Sequence, residues 1–202
     1  MSIISNEIIE TLHSGGVIAY PTTTLPGLGC LPNSESLDSL FELKHRPSSQ
    51  PVSLGVASLK QAEEFVFVPK IANQILQSFP AGSLTLILDA KTKLDQRLGG
   101  ERVAVRVLAN EIALELVKAI GPITATSANP SGVEPHYSVA LAGKELGLDS
   151  KCIIEGNCPG GVPSTILSIS KIVSDTVDYT VTIMREGVVP ATDVNTWMMN
   201  YH

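Results

Sequence analysis

Short aliphatic segments alternate with amphipathic segments along this chain of 202 residues, and no other feature limits its fold as strongly. The amphipathic segments predict helices over residues 3–14, 111–120 and 138–147, and after Asn33, Ser58 and Pro69. The aliphatic segments predict eight strands, over residues 17–20, 52–57, 84–88, 102–107, 123–126, 152–154, 165–169 and 179–184. No repeat, linker or low-complexity stretch separates these elements. The alternation therefore predicts a single α/β domain with a mixed sheet.

The composition narrows the class of protein further. Hydrophobic residues make up 44% of the chain and aromatic residues 4%, which predicts an aliphatic core of strands covered by helices. No run of about 18 apolar residues occurs, and the N-terminus lacks a basic region followed by an apolar stretch. Cys30, Cys152 and Cys158 form no CxxC pair. We therefore expect a cytoplasmic protein with reduced thiols and no membrane contact.

Charge and missing motifs argue against several functions. The net charge is −6, from 14 basic and 20 acidic residues, so we expect any RNA contact to be weak and limited to a local patch. The chain has no GxxxxGKS or GxxxxGKT sequence, and residues 27–29 lack the third glycine of a dinucleotide fingerprint. The four histidines lack metal-ligand spacing, and no GxSxG occurs. Zinc, nicotinamide and triad-hydrolase chemistry are disfavoured, and no metal site is expected.

Two cations lie at the predicted end of the helix that follows Asn33. A residue before proline adopts an extended conformation, so Pro47 is expected to extend Arg46 and to let Lys44 and Arg46 point to one side. Two convergent cations suit a polyphosphate. The alternative is a solvated helix end at which the two cations interact favourably with the helix dipole.

Other polar residues lie on or just after predicted strands. Strand alternation puts Arg102 and Arg106 on one face of their strand, which either lines a cleft or faces solvent. Ser127 and Asn129 follow a buried strand, where ligand crevices often form, although a plain turn explains them almost as well. Arg185 closes the last strand. Together these residues predict an anion-binding pocket.

Seven sequence blocks occur in an order that resembles the YrdC family. They are Pro-Thr-acidic-Thr-aromatic-Gly-Leu-Gly (residues 21–30), Lys-x-Arg-Pro (44–47), Pro-Gly-x-x-Thr (79–85), Ala-Val-Arg (104–106), Ser-x-Asn-x-Ser-Gly (127–132), Ser-Thr-Ile (164–166) and Arg-x-Gly (185–187). The resemblance covers residues 10–190 and implies one domain over residues 1–202, with a short C-terminal tail over 191–202 and no second domain. It also implies a twisted, open sheet of parallel and antiparallel strands, flanked by helices, with a cationic cleft.

The resemblance further implies an enzyme, a nucleotidyltransferase that makes threonylcarbamoyl-AMP and pyrophosphate from L-threonine, bicarbonate and ATP. ATP would be a substrate, and Mg²⁺ would be carried by its phosphates. Downstream threonylcarbamoyl-transfer proteins would then modify an adenosine of tRNA.

Carried over residue by residue, the family's site divides into two parts. The catalytic residues would be Lys44 and Arg46, and the ATP-binding residues Lys44, Arg46, Gln50, Ser127, Asn129 and Arg185. The threonine-binding residues would be Thr24, Arg106, Ala125 and Ser164. The chain departs from the family pattern at Thr23, which replaces an acidic residue, and at Pro26, which replaces an aromatic one. Residues 48–50 also lack a second basic residue.

Two alternative functions remain open from the sequence. One is a non-catalytic RNA-binding protein of the same fold, favoured by the altered first block and disfavoured by the acidic net charge. The other is a paralogue that makes a different carbamoyl adenylate for protein maturation. Such a domain normally lies in a larger chain with acylphosphatase and zinc-finger segments.

Overall fold

A computed structural model of the chain describes residues 4–172 and 178–201. Within these residues the strands are β1 (Ile18–Tyr20), β2 (Gly27–Gly29), β3 (Ser53–Val56), β4 (Leu84–Asp89), β5 (Arg102–Val107), β6 (Ile123–Ser127), β7 (Thr165–Ile172) and β8 (Asp178–Arg185). The α-helices are α1 (Asn6–His13), α2 (Ser34–Leu43), α3 (Leu59–Ala62), α4 (Lys70–Ser78), α5 (Glu111–Ile120), α6 (Val139–Glu145) and α7 (Ala191–Asn200). Short 3-10 helices cover Gln96–Leu98 and Ser150–Cys152.

The described strands form one sheet in the order β1-β2-β6-β3-β5-β4-β7-β8. The β3–β5 and β4–β7 pairs are parallel, and the other five neighbouring pairs are antiparallel. β1 and β8 lie at opposite ends of this order, so the sheet is open. The predicted single α/β domain with an open, mixed sheet and flanking helices is confirmed.

The two faces of the central sheet have different surroundings, because successive side chains of a strand point to opposite faces. On one face, Leu86 of β4, Val105 of β5 and Leu167 of β7 join a buried cluster with residues of α3, α4 and α7. Thr85 and Arg106, one position along from two of these residues, point to the other face and line a cleft. The apolar alternation therefore fixes which face binds helices and which stays accessible.

Two further buried clusters surround the β1–β2–β6 end of the sheet. One joins Ile18, Tyr20 and Ile123 to residues of α1 and α5. The other joins Leu28 and Cys30 to residues of α2 and α6. No helix among the described residues is both long and apolar enough to cross a membrane.

The two glycines of the first sequence block, at residues 27 and 29, belong to strand β2. Gly27 pairs with Tyr20 across the β1–β2 ladder. A Cβ atom added to Gly27 would lie 2.7 Å from the Tyr20 ring, and one added to Gly29 would lie 2.9 Å from it. Glycine is therefore required here by a buried aromatic ring, which sequence spacing does not reveal.

Two other predicted segments differ from the structure. Residues 152–154 form no strand of the sheet: a 3-10 helix ends at Cys152, and Ile153 makes one isolated bridge to Ala19. The segment from residue 191, expected as a tail, forms α7, which buries Val194 and donates a 2.8 Å hydrogen bond from Trp197 Nε1 to Ser78 Oγ. Residue 3 of the first predicted helix and residue 202 of the predicted tail lie outside the described residues.

Candidate functional site

The cleft lies on the accessible face of the sheet. It is lined by Tyr20, Thr22, Thr24, Leu25, Pro26, Gly27, Arg46, Pro51, Val52, Ser53, Thr85, Arg106, Ala125, Thr126, Ser127, Pro163, Ser164, Ile166 and Arg185. Three of these side chains are arginines and none is a carboxylate. No described Asp or Glu forms an ion pair with any of the three arginines. The cleft is therefore cationic, and its charges are free to pair with an anionic ligand.

Arg106 is a buried residue of the cleft lining, and its hydrogen-bond partners among the described residues are all neutral groups. Its Nη2 donates to Thr24 Oγ1 at 2.8 Å and to the Gly82 carbonyl at 2.9 Å, and its Nε donates to the same carbonyl at 3.1 Å. Only 8% of Arg106 is exposed. Burial lowers the pKa of the Arg106 guanidinium, and the neighbouring positive charge of Arg185 also acts to lower it. A buried cation without a carboxylate suits a site that receives an anion.

The first polar loop, residues 21–26, positions Thr24 for this contact. Thr22 Oγ1 donates to the Leu25 carbonyl at 2.6 Å and accepts from the Thr24 amide at 3.1 Å, a local turn that fixes the loop. The Gly160 amide donates to the Thr24 carbonyl at 2.8 Å. The Thr22 amide donates to Cys158 Sγ at 3.3 Å. The sequence did not point to Cys158 or Gly160, because their partners lie more than a hundred residues away.

The structure corrects the expectation that Lys44 and Arg46 point to one side. His45 between them has a left-handed backbone, with φ 50°. Its amide donates to the Glu42 carbonyl at 3.0 Å, and the Arg46 amide donates to the Phe41 carbonyl at 2.9 Å. These two bonds form a Schellman end to α2, with histidine where glycine is usual. The left-handed residue turns the chain, so the two cations separate.

Arg46 lies at the cleft and is half-buried. Its Nε donates to the Gln50 carbonyl at 2.7 Å and its Nη2 to the Pro51 carbonyl at 3.1 Å. Burial lowers the pKa of the Arg46 guanidinium. The side chain of Gln50 is exposed and lies outside the cleft lining. In the structure Gln50 therefore contributes a backbone carbonyl that orients Arg46.

Lys44 points away from the cleft into the protein. It is 1% exposed, and its ammonium donates to the Ser127 carbonyl and, at 2.6 Å, to the Asn129 carbonyl. Burial lowers the pKa of this ammonium to about 8, and the charge of Arg46 adds to the lowering. Lys44 does not reach the cleft lining in this structure.

The end of β6 supplies the next part of the site. Ala125 and Ser127 line the cleft as predicted. Asn129 lies outside the lining and is 8% exposed, with Nδ2 donating to the Pro130 carbonyl at 3.0 Å and to the Val133 carbonyl at 2.5 Å. Its buried Oδ1 has no hydrogen-bond partner among the described residues. This acceptor therefore remains available within the segment that follows β6.

The β7–β8 end of the cleft carries Ser164 and Arg185. Ser164 Oγ lies 2.8 Å from Thr85 Oγ1 on β4, and both hydroxyls are buried. Arg185 Nη2 donates to the Ser164 carbonyl at 2.7 Å. Thr85 and Tyr20 also line the cleft, and Tyr20 donates through its hydroxyl to the Thr124 carbonyl at 3.1 Å. These two were not predicted as site residues, although Thr85 lay within a quoted sequence block.

The residues that line the cleft include no Asp, Glu, His or Cys side chain that could bind a metal. No group of three His, Cys, Asp or Glu side chains with metal-binding geometry occurs among the described residues. The available chemistry is the binding of anions by guanidinium groups, assisted by hydroxyls and backbone carbonyls. Such a site positions charged reactants and neutralises their charge, and it offers no carboxylate base.

The fold and the cleft define an α/β protein with a cationic cleft on the accessible face of a mixed sheet. The chain belongs to the Sua5/YciO/YrdC family, whose sequence model, described as "Telomere recombination", matches residues 10–187. The predicted family resemblance is thus confirmed.

Several similar proteins have names that state an activity. The chain is 36% identical over 159 residues to a threonylcarbamoyl-AMP synthase of Aliivibrio fischeri, covering 75% of this chain and 85% of that protein. It is 30% identical over 188 residues to a threonylcarbamoyl-AMP synthase of Pyrococcus abyssi, covering 91% and 54%.

Solved structures agree with the fold. P. abyssi Sua5, crystallised with L-threonine, superposes with a TM-score of 0.78 at 29% identity, covering 93% of this chain and 55% of that one. Escherichia coli YciO superposes with a TM-score of 0.72 at 26% identity, covering 91% and 88%. The chain spans about half the length of the P. abyssi proteins and most of the length of the A. fischeri and E. coli ones.

Proposed function

We propose that this chain is an L-threonylcarbamoyladenylate synthase, which forms threonylcarbamoyl-AMP and pyrophosphate from L-threonine, bicarbonate and ATP. The observation that carries the proposal is the convergence of Arg46, Arg106 and Arg185 on one cleft without a carboxylate partner among the described residues. The substrates and the product are all anionic or carry a carboxylate. The names of the similar synthases and the threonine complex of P. abyssi Sua5 support the same assignment.

The reaction needs positioning more than a protein nucleophile. The threonine amine and bicarbonate condense to a carbamate with loss of water. A carbamate oxygen then attacks the α-phosphorus of ATP in line, the bond from that phosphorus to the bridging oxygen breaks, and pyrophosphate leaves. Charge neutralisation and orientation supply most of the catalysis in phosphoryl and adenylyl transfer. A cleft of guanidiniums, hydroxyls and carbonyls is suited to this task.

The contacts within the cleft support a division of roles. Arg46 and Arg185 both line the cleft and would bind the phosphates, with Ser127 and Asn129 framing the nucleotide. Gln50 would act through the carbonyl that orients Arg46. On the amino-acid side, Arg106 would bind the threonine carboxylate through its Nη1, since Thr24 and the Gly82 carbonyl hold its Nε and Nη2.

The remaining threonine contacts would come from the floor of the cleft. The backbone of Ala125 and the hydroxyl of Ser164, which is paired with that of Thr85, are placed to bind polar groups of the amino acid. Mg²⁺ would be carried by the ATP phosphates, since the lining contains no carboxylate. The product would pass in the cytoplasm to transfer proteins that modify tRNA, and direct contact with tRNA would be weak.

The test is the formation of pyrophosphate and of a carbamoyl adenylate from ATP. Purified protein is supplied with ATP, Mg²⁺, bicarbonate and threonine, and the reaction is repeated with serine, without an amino acid and without bicarbonate. We expect turnover that requires both threonine and bicarbonate. Turnover that is indifferent to threonine would contradict the assigned substrate. An absence of turnover, combined with tRNA binding tighter than about micromolar at physiological salt, would favour the RNA-binding alternative.

A further inference from the structure

Lys44 is too deeply buried for its ammonium to be open to a phosphate ligand in the cleft. It is 1% exposed, and no described Asp or Glu forms an ion pair with it. Taking an ammonium out of water without a carboxylate partner is unfavourable, so the groups that accept its hydrogen bonds must offset the cost of its burial. Those groups are all backbone atoms of one short segment, residues 127–131.

Three contacts tie Lys44 to this segment. Its ammonium donates to the carbonyls of Ser127 and Asn129, and its own carbonyl accepts from the Ser131 amide at 3.0 Å. The three contacts fall on alternate residues, so the segment curves around the end of α2. The lysine side chain lies inside this curve.

The opposite side of the same segment is fixed to the first polar loop. Ser127 pairs with Gly27 in the β2–β6 ladder. The Ala128 amide donates to the Pro26 carbonyl at 2.8 Å. The segment is therefore clamped between the loop that carries Thr24 and the end of α2. Ser127 reaches the cleft from this clamp, and Asn129 keeps a buried, unpartnered Oδ1 within it.

We infer that Lys44 is a positioning residue, which shapes residues 127–131 for the nucleotide and does not itself contact the phosphates. The inference rests on the proposed function for the identity of the ligand. Without the ammonium, the carbonyls of Ser127 and Asn129 would converge on each other with no donor between them. The segment would rearrange, and Ser127 and Asn129 would lose their placement toward the ligand. Arg46 is then the cation of this pair that faces the phosphates.

The experiment compares three variants of the full chain with the wild type. Lys44→Met removes the donors and keeps most of the side-chain volume. Arg46→Met removes a cleft cation whose hydrogen bonds go to Gln50 and Pro51 and not to residues 127–131. Arg102→Met removes a cation bonded elsewhere on the sheet and serves as the structural control. Each protein is measured twice: by amide hydrogen exchange of residues 126–133 without ligand, and by calorimetric titration with Mg·ATP.

We expect a different pattern from each variant. Lys44→Met should exchange at least tenfold faster over residues 126–133 and bind ATP at least tenfold more weakly. Arg46→Met should bind ATP more weakly with wild-type exchange in that segment. Arg102→Met should keep the dissociation constant of ATP within about twofold. Should Lys44→Met fail to fold, Lys44→Gln, which retains an N–H donor, takes its place with the same expectations at smaller amplitude.

Other outcomes would overturn the inference. Weaker ATP binding by Lys44→Met with wild-type exchange would make Lys44 a phosphate ligand. Faster exchange with unchanged ATP affinity would show that residues 127–131 do not serve the nucleotide. If the wild type itself binds no ATP, the proposed function fails and the nucleotide role of Lys44 fails with it, while the exchange data still decide whether Lys44 shapes the segment.

Discussion

The two ends of β5 carry the same residue on the same face and use it differently. Arg102, at the outer end, pairs with the Asp89 carboxylate and donates to the hydroxyls of Ser168 and Ser170. Arg106, four residues on, has hydroxyls and the Gly82 carbonyl as partners and no carboxylate. The first guanidinium is satisfied within the protein. The second is held in place with its charge uncompensated, which is the condition for binding a ligand carboxylate.

The comparison shows that residue type and strand face do not separate a structural arginine from a binding one. The strand alternation puts both side chains on one face, and from the sequence that face either lines a cleft or faces solvent. The difference comes from the neighbouring strands, since β4 places Asp89 beside Arg102 and Thr85 near the cleft. The partners of an arginine, and the charge they leave, therefore decide its role.

The largest effect is expected from replacing each of these two arginines in turn by methionine. Arg106→Met should lower the threonine-dependent formation of pyrophosphate by up to about a hundredfold, since a charge-assisted hydrogen bond to a carboxylate contributes roughly 1.5–3 kcal/mol. Its free energy of unfolding should change by less than about 1 kcal/mol, because an unpaired buried charge is removed. Arg102→Met should do the reverse, with activity within about threefold and a loss of roughly 1–2 kcal/mol of stability.

Steady-state kinetics and urea unfolding of both variants check this prediction. Equal losses of activity in the two variants would mean that the neighbours of β5 do not separate the roles, and the comparison would break down.

Arg46, another arginine of the cleft lining, offers a second test. Arg46→Ala should weaken ATP binding about ten- to hundredfold, from the same range of roughly 1.5–3 kcal/mol for charge-assisted hydrogen bonds. The fold should stay near wild type, because the hydrogen bonds of the guanidinium to described residues go to the carbonyls of Gln50 and Pro51 at the surface. Calorimetric titration with Mg·ATP and a urea unfolding curve measure both effects. Near-normal ATP binding and turnover would remove Arg46 from the site.

A smaller effect is expected from Thr24, which orients Arg106. Thr24→Val keeps the shape of the side chain and removes the acceptor that lies 2.8 Å from Arg106 Nη2. A loss of about 1 kcal/mol would raise the KM for threonine about fivefold, with less change in the KM for ATP. Thr23→Val is the matched control, because Thr23 Oγ1 lies 3.4 Å from the same nitrogen. An unchanged threonine dependence in Thr24→Val would mean that this loop no longer serves the amino acid.

Much of this site could be predicted because it follows from strand periodicity and from short sequence blocks. The alternation in β5 gave the face of Arg106, and the end of β6 gave Ser127 at the cleft. The direction of Lys44 could not be predicted, because it depends on the left-handed backbone of His45. The effect of Pro47 on the preceding residue indicates only that Arg46 is extended. The C-terminal helix was missed although Val194, Trp197 and Met198 repeat at helical spacing.

Other features depend on contacts between distant parts of the chain. Gly27 and Gly29 are required by the Tyr20 ring, and Cys158 enters the site through the Thr22 amide. No local pattern encodes such partners, since each residue is ordinary in its own segment. The sequence therefore predicted which loops form the cleft better than it predicted which side chains point into it.

The smallest effect concerns the second buried cation, Lys44, and its dependence on pH. Burial lowers the pKa of its ammonium to about 8 in the folded protein, whereas a lysine in an unfolded chain has a pKa of about 10.4. Between these values the unfolded chain holds one proton more than the folded one, so the free energy of unfolding rises with pH. Lys44→Met lacks this contribution. The stability of the wild type relative to Lys44→Met should therefore increase by about 0.8 kcal/mol between pH 7 and 8.5.

Urea unfolding of both proteins at these two pH values measures that difference, and comparing the two proteins cancels the titration of the remaining groups. A flat difference would mean that the carbonyls of Ser127 and Asn129 offset the burial of the ammonium, which would then keep its proton through this range. Lys44 would in that case resemble Arg102, a cation satisfied by its own protein. A rising difference would place it with Arg106, as a charge that the fold holds against its solvation preference.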